Sequence, residues 1–175
     1  NGHIVPVRYV AMAHAGYFSK KELATLRQFG TRLQGHPNML DLPGLETSSG
    51  PLGQGTSISV GMAMTARLDD KKHMVFCVVG DGEINEGQCW EAFMLAGKER
   101  LNNYAVIVDR NNIQIDGHTE DVMPLEPLRE KFESFNFHVI ECNGHNMEEI
   151  IDSLELAKTV FERPVAIIAH TIPGK

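Results

Sequence analysis

Two short polar motifs follow apolar runs in this sequence, and their residue types suit the binding of a metal and a phosphate. Gly80-Asp81-Gly82 comes after one such run, and Asn111-Asn112 comes after the next. The helical pattern between them completes a βαβ unit, whose right-handed crossover brings both strand ends to one edge of a parallel sheet. Ligands in open α/β sheets bind outside that edge. Asp81 and Asn111 are therefore predicted to point into one crevice.

One carboxylate and one amide oxygen make a poor zinc site but a good partial site for a hard cation. Mg²⁺ prefers oxygen ligands and commonly binds only one or two carboxylates, with phosphate oxygens completing its shell. Gly82 leaves room for phosphate close to the backbone, and the helix after Gly82 would present its N-terminus to the same edge, which favours anions. Each motif alone is also typical of an ordinary tight turn, but the pair predicts a metal–diphosphate site.

A glycine-rich loop from Gly50 to Ser57 is a second candidate for ligand binding. It is not a P-loop, because Thr56 rather than Lys follows its last glycine. It is not a dinucleotide fingerprint either, because Ile58 stands where the third glycine would be needed. What remains is a rigid Gly/Pro loop that opens a helix and could place backbone groups against a flat or anionic ligand. A purely structural role stays open.

Two histidines lie next to glycines and could donate protons or hydrogen bonds near neutral pH. His3 follows Gly2, and His36 lies between Gly35 and Pro37. An imidazole in such a position can contact hydroxyls and oxyanions of a ligand. Taken singly, each histidine is equally compatible with a structural role in a loop.

Alternating helix and strand patterns predict an α/β domain with a mainly parallel sheet and helices on both faces. Continuous apolar runs predict strands at 74–79, 104–108 and 165–169. Helical spacing of apolar residues predicts helices at 4–14, 56–68, 90–101 and 147–161. Ser19 and Glu22 have the spacing of a capping box, which predicts a further helix to about Phe29. Turn-forming residues are frequent between Gly30 and Gly55 and predict a fixed, irregular path.

Length and composition limit the classes of function. At 175 residues the chain fits a single domain, 1–175, and neither end has the features of a natural terminus, so we expect truncation at both ends. The net charge of −7 disfavours partners such as nucleic acid or an anionic membrane. The three cysteines show no zinc or disulfide spacing, and no apolar run approaches the ~20 residues of a membrane span. A cytoplasmic location is the simplest expectation.

Taken together, the motifs resemble the N-terminal, diphosphate-binding domain of the transketolase family over nearly the whole chain. The Gly-Asp-Gly…Asn pattern is typical of thiamine-diphosphate enzymes in general, whereas the Gly-Pro-Leu-Gly-Gln-Gly loop and the Gly-His-Pro element are specific to transketolases. The resembling segments are Asn1–His3, Gly16-Tyr17, Gly35–Pro37, Leu42–Glu46, Ser49–Gly55, Gly80–Gly82, Glu86-Gly87 and Asp109–Gly117. The resemblance implies the thiamine-diphosphate-binding fold.

The resemblance also implies how the cofactor and its metal are held. Asp81 and the Asn111 side chain would bind Mg²⁺ or Ca²⁺, with the backbone carbonyl of Ile113 as a third ligand. Gly82 and Asn111 would contact the diphosphate of thiamine diphosphate. The loop residues Gly50, Pro51 and Leu52 would line the cofactor.

Three further residues receive roles from the same resemblance. His3 would contact the cofactor and the reaction centre. His36 would hydrogen-bond the sugar substrate or the intermediate derived from it. Glu86 would lie in an acidic network at a dimer interface.

The implied reaction moves a two-carbon ketol unit between sugar phosphates, as in the pentose phosphate pathway. Family members need a pyrimidine-binding domain that carries the activating glutamate, and this chain contains no such domain. We therefore expect a partner domain or C-terminal subunit, in a homodimer or heterotetramer, and favour the N-terminal subunit of a split transketolase. The alternatives are the alpha component of a 2-oxo-acid dehydrogenase, a deoxyxylulose-phosphate synthase and a non-catalytic cofactor-binding module.

Overall fold

Residues 1–52 are organised around one α-helix, α1 (Val5–His14), which confirms the helix predicted at 4–14. The structure is a computed structural model that describes residues 1–115 and 117–175, so Asp116 of the Asp109–Gly117 motif lies outside the described residues. Pro6 is in the first turn of α1, where its missing N–H leaves no hydrogen bond unmade. Val5, Tyr9 and Met12 form the buried face of this helix and belong to a core cluster with Leu33 and Leu42.

The segment after α1 differs from the prediction of a capping box and a helix to Phe29, which was wrong. Ser19 does accept a hydrogen bond from the Lys21 amide, but the element it caps is a 3₁₀ helix that ends at Thr25 (Lys20–Thr25). The Glu22 carboxylate does not return to Ser19. It instead accepts hydrogen bonds from Arg32 Nε at 2.6 Å and Nη2 at 3.0 Å, so a longer-range ion pair replaces the local box.

The irregular stretch that follows has the fixed path expected from its turn residues. No helix or strand occurs between Leu26 and Leu52, a stretch that the structure describes in full. Side-chain and backbone hydrogen bonds close its turns instead: Ser48 Oγ accepts from the Met39 amide at 3.0 Å, and the Ser49 amide donates to the Pro37 carbonyl at 3.2 Å. Leu42 and Leu45 anchor the stretch in the core of this unit.

Residues 53–175 form a second unit, built on a four-stranded parallel sheet with the order β1-β2-β6-β5. Its sheet strands are β1 (Val75–Gly80), β2 (Tyr104–Arg110), β5 (His138–Asn143) and β6 (Val165–His170). Two short strands, β3 (Ile113–Gln114) and β4 (Gly117–His118), form a separate antiparallel pair. The helices are α2 (Gln54–Leu68), α3 (Gly87–Lys98), α4 (Thr119–Val122), α5 (Leu128–Ser134) and α6 (Met147–Lys158).

Alternate residues of the strands face two cores, one on each side of the sheet. In β2, Val106 and Val108 join the core formed with α2, α3 and α5, whereas Ala105 and Ile107 join the core beneath α6. In β6, Ile168 and Ile167 divide in the same way. Helices therefore lie on both faces, which confirms the predicted α/β class with a parallel sheet. At the edge strand β1, however, Phe76 and Val78 remain exposed. The elements α5, β5 and the β3–β4 pair were not predicted.

No helix among the described residues is long and apolar enough to cross a lipid bilayer. The single-domain prediction for 1–175, with truncation at both ends, stays a prediction.

Candidate active site

The ends of β1 and β2 lie side by side, as the βαβ argument predicts. The two strands pair in parallel, with Gly80 opposite Asp109, and the Asp81 amide donates to the Asp109 carbonyl at 3.1 Å. Asp81, the first residue after β1, therefore lies next to the residues that follow β2. This confirms that Asp81 and the Asn111 segment share one edge of the sheet.

The Asp81 carboxylate is fully buried, and its two oxygens have different surroundings. Oδ2 accepts hydrogen bonds from Arg110 Nη1 at 2.8 Å, from the Asn112 amide at 2.7 Å and from Thr119 Oγ1 at 3.4 Å. Oδ1 accepts only from the amide of Gly82, at 2.8 Å, among the described residues. A carboxylate oxygen has two lone pairs, so Oδ1 keeps the capacity to bind a further ligand.

Two hydrogen bonds of the Asn111 side chain determine where its amide nitrogen and its amide oxygen lie. Its Nδ2 donates to Asp109 Oδ2 at 3.0 Å, and its Oδ1 accepts from the Ile113 amide at 2.9 Å. Asp109 is itself held by a short hydrogen bond from Thr171 Oγ1. Because a carboxylate can only accept, Asp109 must face the amide nitrogen, and the Asn111 oxygen lies at the other end with one lone pair remaining.

Gly82 is required by close approach of the backbone on the other side of the turn. A Cβ at this position would lie 3.2 Å from the Ile113 carbonyl oxygen and 3.0 Å from Gln114 Cγ. The Ile113 carbonyl therefore lies beside the turn that carries Asp81. A carboxylate oxygen, an amide oxygen and a backbone carbonyl are hard ligands, and this set fits Mg²⁺ or Ca²⁺ rather than zinc.

The helix expected after Gly82 is present, but a 3₁₀ turn precedes it. The chain makes this turn over Glu83–Asn85, and α3 begins at Gly87. The first residue of this turn, Glu83, directs its side chain back towards the end of β1.

Glu83 is a structural residue of this site that the sequence did not indicate. Its buried carboxylate accepts from the Gly53 amide at 3.0 Å and from the Gly80 amide at 3.2 Å. One side chain thus joins the residue that precedes α2 to the end of β1. The Gly80-Asp81-Gly82 turn is therefore held from the α2 side as well as from β2.

Replacing Glu83 by glutamine is expected to destabilise this unit by about 1–3 kcal/mol. An amide nitrogen would face one of the two backbone N–H groups and leave that donor buried and unsatisfied. The free energy of unfolding in urea measures the change. Glu86→Gln is the matched control, because Glu86 is exposed and close in sequence; its effect should stay within about 0.5 kcal/mol. If the two variants have the same free energy of unfolding, Glu83 does not stabilise the turn through these hydrogen bonds.

The unit formed by residues 1–52 brings the two predicted histidines together. The His3 and His36 rings meet edge to face, with centroids 5.1 Å apart and an interplanar angle of 85°. Both side chains are exposed. No spacing rule predicted this pairing, because the two residues lie far apart in sequence.

The start of the glycine-rich loop packs against the same histidines. Gly50 has a φ of +152°, and a Cβ there would lie 3.2 Å from His36 Cδ2. A Cβ on Gly2 would lie 2.7 Å from the Gly50 amide nitrogen. His3, His36 and the first loop residue are thus neighbours within this unit, followed in the chain by an exposed Pro51 and a half-buried Leu52.

Arg110 supplies the positive charge beside Asp81 and is a further residue that the sequence did not single out. Its Nη2 donates to Glu120 Oε1 at 2.6 Å and to Glu126 Oε1 at 3.0 Å. Burial alone would lower the pKa of Arg110, but its hydrogen bonds to Asp81, Glu126 and Glu120 outweigh this effect and raise the pKa. The guanidinium therefore remains charged at the base of the site.

The chain is similar over its whole length to known proteins of one family. A family model described as transketolase, thiamine diphosphate binding domain, matches residues 1–175. The 6-deoxy-6-sulfo-D-fructose transketolase subunit of a Clostridium species is 42% identical over 174 residues, which cover 99% of this chain and 63% of the relative. An apulose-4-phosphate transketolase subunit of Phocaeicola vulgatus is 40% identical over 99% of this chain and is covered to 62% of its own length. This chain thus spans less than two thirds of these curated relatives.

A solved structure supports the same fold. Transketolase from Leishmania mexicana matches with a TM-score of 0.92 at 35% identity, over 98% of this chain and 27% of that chain. This likeness confirms the predicted thiamine-diphosphate-binding fold.

Proposed function

Because the chain belongs to the family of transketolase thiamine-diphosphate-binding domains, we propose that it supplies the diphosphate and metal half of a ketol-transferring active site. The observation that carries the proposal is the buried Asp81, whose Oδ1 remains available for a further ligand beside Asn111 and the Ile113 carbonyl. The family match over the whole chain does not favour the alternatives, namely a 2-oxo-acid dehydrogenase component, a deoxyxylulose-phosphate synthase or a non-catalytic module.

The metal and the diphosphate would be held by this chain's oxygens and backbone. Asp81 Oδ1, Asn111 Oδ1 and the Ile113 carbonyl would bind Mg²⁺ or Ca²⁺, and the cation would neutralise part of the diphosphate charge. Gly82 leaves the backbone accessible to phosphate oxygens. When bound, thiamine diphosphate supplies the nucleophilic carbon and the electron sink for ketol transfer.

Residues 1–52 would contribute contacts to the reacting groups. His3 and His36 are exposed and adjacent, so both imidazoles can hydrogen-bond hydroxyls of a ligand and transfer a proton to or from it. We assign His3 to the cofactor and reaction centre and His36 to the sugar. Gly50, Pro51 and Leu52 would line the cofactor, and Glu86, which is exposed, would lie at an interface with another protomer.

The complete enzyme would need a partner. Two of the relatives are named as transketolase subunits, which supports a second polypeptide that carries the pyrimidine-binding domain. With that second polypeptide the enzyme would be a heterotetramer in the cytoplasm; a homodimer would meet the requirement only where the pyrimidine-binding domain belongs to the same polypeptide. The substrates would be sugar phosphates or related ketoses, because the relatives are named for 6-deoxy-6-sulfo-D-fructose and for apulose 4-phosphate as well as for transketolase. Pentose phosphate metabolism is thus one of several settings that these substrates allow.

An assay of the reconstituted enzyme tests this proposal. The chain is combined with its pyrimidine-domain partner, Mg²⁺ and thiamine diphosphate, and ketol transfer to ribose 5-phosphate is measured. Xylulose 5-phosphate, 6-deoxy-6-sulfo-D-fructose and apulose 4-phosphate serve as alternative donors. We expect transfer from at least one donor in the complex and none from the chain alone. A complex that binds thiamine diphosphate but transfers no ketol unit from any of them would refute the assignment.

A further inference from the structure

Arg110 is, among the described residues, the most buried charged group at the sheet edge apart from Asp81, and it connects three carboxylates. Its side chain is 4% exposed. One terminal nitrogen, Nη1, donates to Asp81, and the other, Nη2, donates to Glu120 and Glu126. The guanidinium therefore donates on one side to Asp81 in the candidate site and on the other side to two glutamates outside it.

The segment behind Arg110 is itself fixed, so it provides a firm support. The Glu120 carboxylate also accepts from the Leu125 amide at 3.2 Å and from the Glu126 amide at 3.3 Å. The Glu126 carboxylate also accepts from the Leu128 amide at 2.9 Å, at the start of α5. Arg110 thus ties Asp81 to a closed loop between α4 and α5.

The two carboxylate oxygens of Asp81 differ in their hydrogen bonds: Oδ2 is saturated by donors of the protein, and Oδ1 can still bind a cation. Arg110, the Asn112 amide and the Thr119 hydroxyl all approach Oδ2, which leaves that oxygen no free lone pair. Oδ1 receives only the Gly82 amide among the residues that the structure describes. A carboxylate held in this way presents one chosen oxygen to a cation and cannot rotate to present the other.

We infer that Arg110 is a positioning residue for the metal site: it holds Asp81 Oδ2 so that Oδ1 alone faces the cation of the thiamine diphosphate complex. This inference rests on the proposed function, because it assumes that Asp81 is the metal ligand. Lysine could keep the charge but not the geometry, since a single ammonium cannot direct two planar nitrogens at Asp81 and at the glutamates.

The test compares variants in the enzyme assembled with its partner. Arg110→Lys and Arg110→Met are measured by calorimetric titration of thiamine diphosphate at increasing Mg²⁺, and their kcat is measured at saturating cofactor and metal. We expect the Mg²⁺ concentration for half-saturation to rise about tenfold in Arg110→Lys and up to about a hundredfold in Arg110→Met, as for other residues that support metal ligands. The kcat at saturation should return to within about twofold of the wild type.

Arg129→Met is the matched control, because Arg129 also pairs with two glutamates, Glu133 and Glu141, but is 44% exposed. Its half-saturation should equal that of the wild type. A role of Arg110 in folding alone would reduce the amount of active enzyme without shifting the Mg²⁺ requirement.

The outcomes separate the inference from the proposed function. If the wild-type complex binds no thiamine diphosphate, the proposed function fails and the inference falls with it. If the wild type binds but Arg110→Lys shows the same Mg²⁺ requirement, the inference alone is overturned. Arg110→Lys alone can test whether Arg110 positions Asp81, even if Arg110→Met does not fold, because lysine preserves the buried charge.

Discussion

Replacing Asp81 by asparagine is expected to abolish metal-dependent binding of thiamine diphosphate in the assembled enzyme. The side chain keeps its size but loses the charge that a hard cation needs. Loss of a direct ligand should exceed the 10–100-fold weakening typical of residues that only support one, so we expect affinity to fall by more than about a hundredfold. Calorimetric titration with and without Mg²⁺ measures this change.

The same substitution should also weaken the fold, for a separate reason. Arg110 would lose its buried counter-ion, and breaking a buried pair by removing one partner typically costs about 3–5 kcal/mol. Because Glu120 and Glu126 remain beside Arg110, we expect a loss near the lower end of that range. Urea unfolding measures it.

A double variant separates the two effects. Asp81→Asn combined with Arg110→Met removes both members of the buried pair, so its loss of stability should be smaller than the sum of the losses in the two single variants. The double variant should not regain full stability, because Glu120 and Glu126 lose their shared partner. It should not recover cofactor binding. Restored binding in the double variant, or unchanged affinity in Asp81→Asn, would exclude Asp81 as a metal ligand.

Replacing Gly97 by alanine should be among the most destabilising single changes in the second unit. A Cβ there would lie 1.8 Å from the Phe135 carbonyl oxygen, which is backbone and follows directly after α5. Neither α3 nor the end of α5 can move away without disturbing the core that they share. We expect a loss of about 3 kcal/mol or more in the free energy of unfolding, at the upper end for overpacking.

Gly61→Ala in α2 provides the matched comparison. Gly61 also lies within a helix, but nothing is within 4 Å of the position of its missing Cβ. Alanine there should raise stability by about 0.5–1 kcal/mol through helix propensity alone. If both substitutions change stability by the same amount, a clash with the Phe135 carbonyl is excluded as the cause of the effect at Gly97.

The position of the proposed metal ligands was predictable because it depends on strand ends. Parallel strands bring successive carboxyl ends together, so Asp81 and Asn111 could be placed at one edge from their position in the sequence. Their supporting residues could not. Arg110 depends on Glu120 and Glu126, and Asp109 depends on Thr171, and no local pattern links these partners.

The missed and mistaken elements have a similar cause. Ser19 marks the start of a helical turn correctly, but Arg32 competes for Glu22 and only a 3₁₀ helix forms. Strand β5 reads His-Val-Ile-Glu-Cys-Asn, with Glu141 interrupting the apolar run of the kind that marks β1 and β2. Its pairing with β6, rather than its own composition, makes it a strand.

The bond pattern of Glu83 has a consequence for the native-state dynamics of the site. One carboxylate accepts from both the Gly53 and the Gly80 amides. Because one side chain holds both amides, we expect their protons to exchange with solvent together when that side chain withdraws, although they lie on different elements. Similar hydrogen-exchange protection of the Gly53 and Gly80 amides would show that the start of α2 and the end of β1 open as one cooperative unit.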